Sequence, residues 1–220
     1  MFDVWRSFGT ATLAHIVAFS VMVSFSATAI AAIIGLPSGA ALVICQFPGR
    51  RILVLLADAL LGLPPVVVGL GLYLMLSRSG PLGVLALLFT PGAMVLAQAV
   101  LATPIITALV HRALEEPWEE YGGALRVDGA TRFRSIRTLL AIARRPVLTA
   151  VLAGFGRTIS EVGAVLIVGG NIAGYTRTMT TAIVLETSKG DLELALGLGF
   201  ILIGITIAVT ASAFLLMEKE

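Results

Sequence analysis

Apolar residues in this chain gather in long continuous blocks, without the alternation of exposed strands. Five blocks stand out, at residues 11–45, 52–76, 82–114, 146–168 and 194–216. Most approach or exceed the roughly 18–20 residues a helix needs to cross the hydrocarbon core. A segment in that core must satisfy its own backbone polar groups, which leaves helices or closed barrels. Barrel strands read as alternating segments of about ten residues, a pattern missing here. The expected class is therefore all-α: a polytopic helical membrane protein with about five or six transmembrane helices.

The breakers refine the blocks. Gly35-Leu36-Pro37 interrupts the first, predicting a tilted or kinked helix. Leu63-Pro64-Pro65 divides the second, and a helix should restart there with a proline in its first turn. Pro91-Gly92 reads as a turn ahead of a firm helical stretch over 94–110, and Gly69 and Gly71 suit close helix packing. No repeat or low-complexity linker divides the chain, so residues 1–220 read as a single transmembrane domain.

Composition agrees: 58% of the 220 residues are hydrophobic and 13% charged, with mean hydropathy +1.01, against roughly 45–50% and 25% in soluble domains. The single cysteine, Cys45, reads as a small apolar residue, and His15 and His111 as interfacial or packing residues without metal-ligand spacing. With one acid and one base, Met1 to Gly9 make a poor signal-peptide start.

Charge gives an orientation. Arg50, Arg51, Arg112, Arg126, Arg132, Arg134, Arg137, Arg144, Arg145 and Lys219 fall on one side of the membrane, and Arg6, Arg78, Arg177 and Lys189 on the other. Basic residues concentrate in the cytoplasm, which predicts an outside N-terminus and a cytoplasmic C-terminus. The net charge of +2 reflects this topology, and no nucleic-acid partner is expected.

Residues 115–145 form the one long polar stretch, read as two short helices around a turn. Pro117 suits the first turn of one helix, with Glu115, Glu116, Glu119 and Glu120 near its positive end. Gly129 after Asp128 suits a left-handed stop, and Thr131 a cap for the next helix. That helix places Phe133, Ile136, Leu139 and Leu140 at helical spacing among arginines. Such a helix either lies on anionic lipid or docks into a groove on a cytoplasmic partner.

Two further sets of residues carry candidate chemistry. Arg157 and Glu161 stand four apart within an apolar helix and share a face. Ionisable groups at membrane depth point to function, here a pathway or gate element, with an internal ion pair holding the bundle as the alternative. Residues 169–181 hold Asn171, Thr176, Thr178, Thr180 and Thr181, neutral donors suited to passing an anion, or else an ordinary outer loop.

Several stretches resemble the permease subunits of ATP-binding-cassette importers. Those permeases carry Glu-Ala-Ala, three residues, Gly, nine residues, then Ile-x-Leu-Pro. Here Gly129 takes the glycine position, followed by Ala130-Thr131-Arg132-Phe133-Arg134; Gly123-Ala124-Leu125 and Leu139-Leu140-Ala141-Ile142 occupy the flanking positions. The family's glutamate is absent, with Glu119 and Glu120 nearby. Leu63-Pro64-Pro65-Val66-Val67-Val68-Gly69, with Leu36-Pro37-Ser38-Gly39 and Phe47-Pro48-Gly49-Arg50 before it, is similar to molybdate and sulfate permeases. The run from Gly154 through Ser160-Glu161-Val162-Gly163-Ala164, and Val168-Gly169-Gly170-Asn171-Ile172, resembles molybdate and tungstate permeases alike. Thr176-Arg177, Thr180-Thr181-Ala182-Ile183 and Leu185-Glu186-Thr187-Ser188-Lys189-Gly190 look like the tungstate branch.

The resemblance implies a type I importer permease in a prokaryotic cell membrane, paired with a second copy of itself. It further implies cytoplasmic ATPase subunits, which would hold ATP and Mg, and an extracytoplasmic oxyanion-binding protein. Gly123, Ala124, Asp128, Gly129, Ala130, Thr131 and Phe133 become the candidate ATPase-coupling residues, and Arg157, Glu161, Asn171, Thr178 and Thr181 the candidate pathway or gate. No catalytic residue, metal or cofactor is expected in the chain itself. An intramembrane enzyme would need a nucleophile with its base, paired carboxylates or metal ligands, and a nucleotide site a glycine loop with lysine; neither pattern occurs. An uncoupled channel or structural subunit remains the alternative.

Overall fold

The computed structural model describes residues 10–218; the signal-peptide reading of Met1 to Gly9, with Arg6, and the basic residue Lys219 fall outside them. Nine α-helices and no strand occur among the described residues. They are α1 (Thr10–Ile44), α2 (Arg50–Ala59), α3 (Pro65–Leu76), α4 (Pro91–Val127), α5 (Arg132–Ile142), α6 (Arg144–Ile159), α7 (Gly163–Gly169), α8 (Met179–Lys189) and α9 (Leu192–Glu218). Three of them are each long and apolar enough to cross a membrane: α1, α4 and α9. Counting each bent pair, α2 with α3 and α5 with α6, as one span raises the number to five.

The central contact is between α1 and α4. On α1, Ile16, Ser20, Val23, Ala27 and Ala31 are buried at three- and four-residue steps, while Met22, Phe25 and Ile33 on the other side are exposed. This is the pattern of helices associating through small residues in lipid. Gly35 faces Ile106 and Thr103, and Gly39 faces Thr107 and Val110, so the two helices run parallel. A Cβ at Gly39 would lie 2.6 Å from the Thr107 carbonyl oxygen. Helix α1 continues through Pro37 as one element, and the close approach supports it there. Packing along the whole face holds the helix on both sides of the missing donor.

The double proline acts as expected. A 3-10 turn at Leu60–Gly62 ends α2, and α3 restarts with Pro65 in its first turn, bent by 103° from α2. Gly69 then meets α7, where a Cβ would sit 2.8 Å from the Ala164 Cα; a Cβ at Gly71 would meet nothing within 4 Å in this chain. Pro91 opens α4 at its first turn, so the expected turn at Pro91-Gly92 is itself helical.

Three expectations are corrected. The segment 115–145 does not hold two short helices. Its first half continues α4, which passes through Pro104 and Pro117 to Val127 as one 37-residue helix, leaving the glutamates around Pro117 mid-helix. Leu114 on one side of Pro117, and Trp118 and Leu125 on the other, join the core with α5, and this packing carries the helix across the proline. The fourth block is not one helix: α6 stops at Ile159 and α7 begins at Gly163, so Glu161 stands in a break. Residues 169–181 are not wholly loop, since α8 begins at Met179.

Three apolar cores result among the described residues, the smallest joining Leu13, Ala182, Leu194 and Leu198 of α1, α8 and α9; the other two lie along α4. One joins Phe19, Val23, Met94, Ala97, Val165 and Val168; the other joins Ala31, Val43, Ile106, Val110, Leu114 and Leu139. Gly154 abuts Ile106 and Gly169 abuts Met94, so α6 and α7 pass antiparallel to α4 from the second core to the first. Helix α9 exposes Leu196, Phe200, Ile203 and Ile207 at helical spacing, as a helix in lipid does.

Candidate functional site

The structure presents two sites at different depths. The first is the corner between α4 and α5. Asp128 ends α4, and Gly129 takes φ +66, the left-handed conformation its sequence position called for. The Gly129 N–H donates to the Arg126 carbonyl and the Ala130 N–H to the Leu125 carbonyl. The Thr131 hydroxyl accepts the Arg134 N–H at 3.3 Å and caps α5. Gly123, Ala124, Asp128, Gly129, Thr131 and Phe133 are all exposed around this corner, with Ala130 half-buried among them.

The apolar face of α5 divides. Ile136, Leu139 and Leu140 join the core with α1 and α4. Phe133 points away, 70% exposed, under the Arg137 guanidinium 6.0 Å from its ring centroid. Arg126 lies 5.0 Å over the Trp118 ring. The face that would have lain on lipid is thus covered by the bundle, and the corner offers outward an aromatic ring, arginines and Val127, 88% exposed. Aromatic and arginine anchors of this kind dominate protein–protein interfaces.

The second site surrounds the break between α6 and α7. Arg157, in the last turn of α6, forms an ion pair with Glu161, its Nη1 lying 2.9 Å from Glu161 Oε2 without the alignment of a hydrogen bond. The other Glu161 oxygen, Oε1, accepts the Ala164 N–H at 3.0 Å at the start of α7. The Glu161 side chain is 1% exposed and the Arg157 side chain 27%. Below the pair, Gln98 on α4 donates to the Thr158 carbonyl at 2.9 Å, and the Thr158 and Thr28 hydroxyls lie 3.0 Å apart. These bonds tie α1, α4 and α6 together at the level of the break. Sequence reading missed Gln98; an amide within a block as apolar as 94–110 was the available signal.

The outer polar stretch folds onto the same break. The Thr180 hydroxyl donates to the Glu161 carbonyl at 2.9 Å, and the Met179 N–H to the Ser20 hydroxyl at 2.8 Å. Thr178 and Thr181 form a reciprocal cap at the start of α8 and are buried. Asn171 donates to the Thr181 carbonyl at 3.4 Å and accepts from Arg177 Nε at 3.2 Å. Arg157, Glu161, Asn171, Thr178 and Thr181 therefore form one connected neighbourhood, in which the threonine and asparagine donors are engaged within the fold. His111 is buried in α4 and His15 stacks on Phe19. Cys45 is a free, half-buried thiol. Among the described residues, no cluster of three or more His, Cys, Asp or Glu side chains could hold a metal.

Comparison with known proteins agrees with the architecture. Residues 31–219 match the family described as binding-protein-dependent transport system inner membrane component. The chain is 42% identical over 204 residues to a protein of Haloferax volcanii named probable anion ABC transporter permease protein, covering 90% of this chain and 88% of that one. It is 39% identical over 204 residues to the tungstate uptake system permease protein of Peptoclostridium acidaminophilum, covering 93% and 90%. The molybdenum transport system permease protein of Escherichia coli strain K12 is 31% identical over 186 residues, covering 78% and 81%. Permeases of this family work with an ATPase carried on a separate subunit and with a substrate-binding protein. The chain, a multi-pass membrane protein, belongs to the binding-protein-dependent transport system inner membrane components, the non-enzymatic permease subunits of ATP-binding-cassette importers.

Proposed function

We propose that this permease imports a small tetrahedral oxyanion, tungstate, as a homodimer above two ATPase subunits and below an extracytoplasmic oxyanion-binding protein. The substrate class is supported by the named activities of its relatives, two of them tungstate uptake permeases, at 39% and 38% identity, and another an anion permease at 42%. Molybdate and sulfate permeases follow at 31% and 29%.

The observation that carries the coupling assignment is the exposed α4–α5 corner. Its left-handed turn at Gly129 and threonine cap fix the angle of α5, while the buried Leu139 anchors α5 to the bundle. A push on Phe133 is thereby transmitted to α1 and α4. Gly123, Ala124, Asp128, Ala130 and Thr131 form the rim of that contact. In this reading the corner faces the cytoplasm, the N-terminus lies outside and the C-terminus inside, the orientation that the distribution of basic residues supports. Arg157 and Glu161, with Asn171, Thr178 and Thr181 beside them, form the gate region, where a broken helix gives the bundle a joint. ATP and Mg belong to the partner.

The test is radiolabelled tungstate uptake into vesicles holding the permease, its ATPase and its binding protein. Uptake should require ATP, and Gly129→Val should abolish it while the permease still inserts and folds. Normal uptake by that variant would remove the corner from the mechanism. Absence of uptake of tungstate, molybdate and sulfate by the unaltered complex would remove the substrate class.

A further inference from the structure

The Arg157–Glu161 pair is built asymmetrically. Glu161 is hydrogen-bonded through Oε1 to the Ala164 N–H, its Oε2 has no hydrogen-bond partner and faces only the charge of Arg157, and the side chain is all but sealed from solvent. Arg157 contributes Nη1 to the pair and keeps 27% of its side chain exposed. A guanidinium carries five donors in a planar fork suited to oxyanions, so one amine is committed and an open edge remains. The α6 surface beside that edge is shallow: Ala153 and Ser160 are exposed, and a Cβ at Gly156 would meet nothing within 4 Å. An ion pair with both partners enclosed would offer no donor to a solute. This one presents its cation to open space and keeps its anion behind it.

We propose that Arg157 is a transient ligand for the transported anion and that Glu161 is its tethered competitor. A lone arginine in a low-dielectric span would hold a dianion too firmly for release, and conduction requires binding weak enough to leave. Glu161 supplies a fixed negative charge 2.9 Å from the same guanidinium. It offsets the attraction and takes the cation back when the anion departs. The Ala164 N–H keeps the carboxylate in place throughout, so the competitor does not follow the cargo. The break at 160–162 lets Glu161 sit behind Arg157, where an unbroken helix would set the two side by side along one face. The inference rests on the oxyanion reading above.

The experiment measures tungstate binding to the purified permease–ATPase complex in lipid nanodiscs, by equilibrium dialysis without the binding protein. Glu161→Gln keeps an oxygen for the Ala164 N–H and removes the charge; it should bind tungstate about tenfold more tightly than the unaltered complex and turn over more slowly in the full transport assay. Glu161→Asp, which withdraws the carboxylate by one methylene, should lie between, and serves if the glutamine variant fails to fold. Adding Arg157→Gln to Glu161→Gln should abolish the gain. Binding no tighter in either Glu161 variant, or tightening that survives loss of Arg157, overturns the proposal. If the unaltered complex imports tungstate and Glu161→Gln shows no gain, the competitor fails and the oxyanion reading stands. If the unaltered complex imports none of the three oxyanions, the functional reading fails first.

Discussion

The α4–α5 corner and the α6–α7 break are both interruptions in helices, built on opposite plans. At the corner, the chain turns on its own local chemistry, with Gly129 left-handed and Thr131 capping, and the side chains around it face outward. At the break, Ser160-Glu161-Val162 turns with no proline; Glu161 finds partners on α7 and α8, and Gln98 of α4 bonds the Thr158 carbonyl just before the turn. The first interruption is independent of its neighbours and free to meet another protein. The second depends on its neighbours, and its carboxylate is buried. Apart from the α5 cap at Thr131, variants at the corner should therefore impair ATPase docking and spare folding, and variants at the break should do the reverse.

The contrast can be broken most sharply at Phe133. Its ring is exposed and buries little in the permease itself, so Phe133→Ala should leave thermal stability in detergent unchanged and weaken ATPase binding by about 2 kcal/mol, roughly thirtyfold, measurable by co-purification titration. Next in size is Gly39→Leu on the helix pair that supports both sites. It meets a backbone carbonyl at 2.6 Å, and overpacking of this kind costs about 1–3 kcal/mol, read as a lower unfolding midpoint with the ATPase absent. Thr131→Ala removes the α5 cap and should cost about 1 kcal/mol, appearing as faster amide exchange in α5. The smallest effect is expected at the break. Gln98→Leu removes one interhelical hydrogen bond, worth about 0.6 kcal/mol within a membrane, and should lower the unfolding midpoint slightly with ATPase affinity unchanged. Equal losses of affinity and stability in all four variants would show that the two interruptions are not separate.

Legibility followed the same division. Local signals were readable: the restart at Pro65, the left-handed Gly129, the Thr131 cap and the apolar positions of α5 all appear where the residues called for them. Tertiary effects were not. Pro117 looked like a helix start because its missing donor is usually tolerated only there, yet packing of Leu114, Trp118 and Leu125 carries α4 through it. The break at Glu161 was invisible because two charges, Arg157 and Glu161, leave the hydropathy pattern of the apolar block intact, and Thr180, which bonds the turn's carbonyl, comes from a different helix. Helix α8 was missed because threonines, poor helix formers in isolation, occupy its start, where their value lies in the reciprocal cap and in the bond to the Glu161 carbonyl.

Helix α4 is continuous over 37 residues, Pro91 to Val127, about 55 Å at 1.5 Å per residue, passing Met94 beside α7 and ending at the turn at Gly129. The two helices lying antiparallel to it, α6 and α7, cover part of the same course with a knuckle between them. A stiff shaft beside a hinged one cannot both follow the same shove unchanged. Displacing their common end shifts the shaft bodily and forces the knuckle to open or close, so a small stroke at one surface becomes an angular change deep in the bilayer.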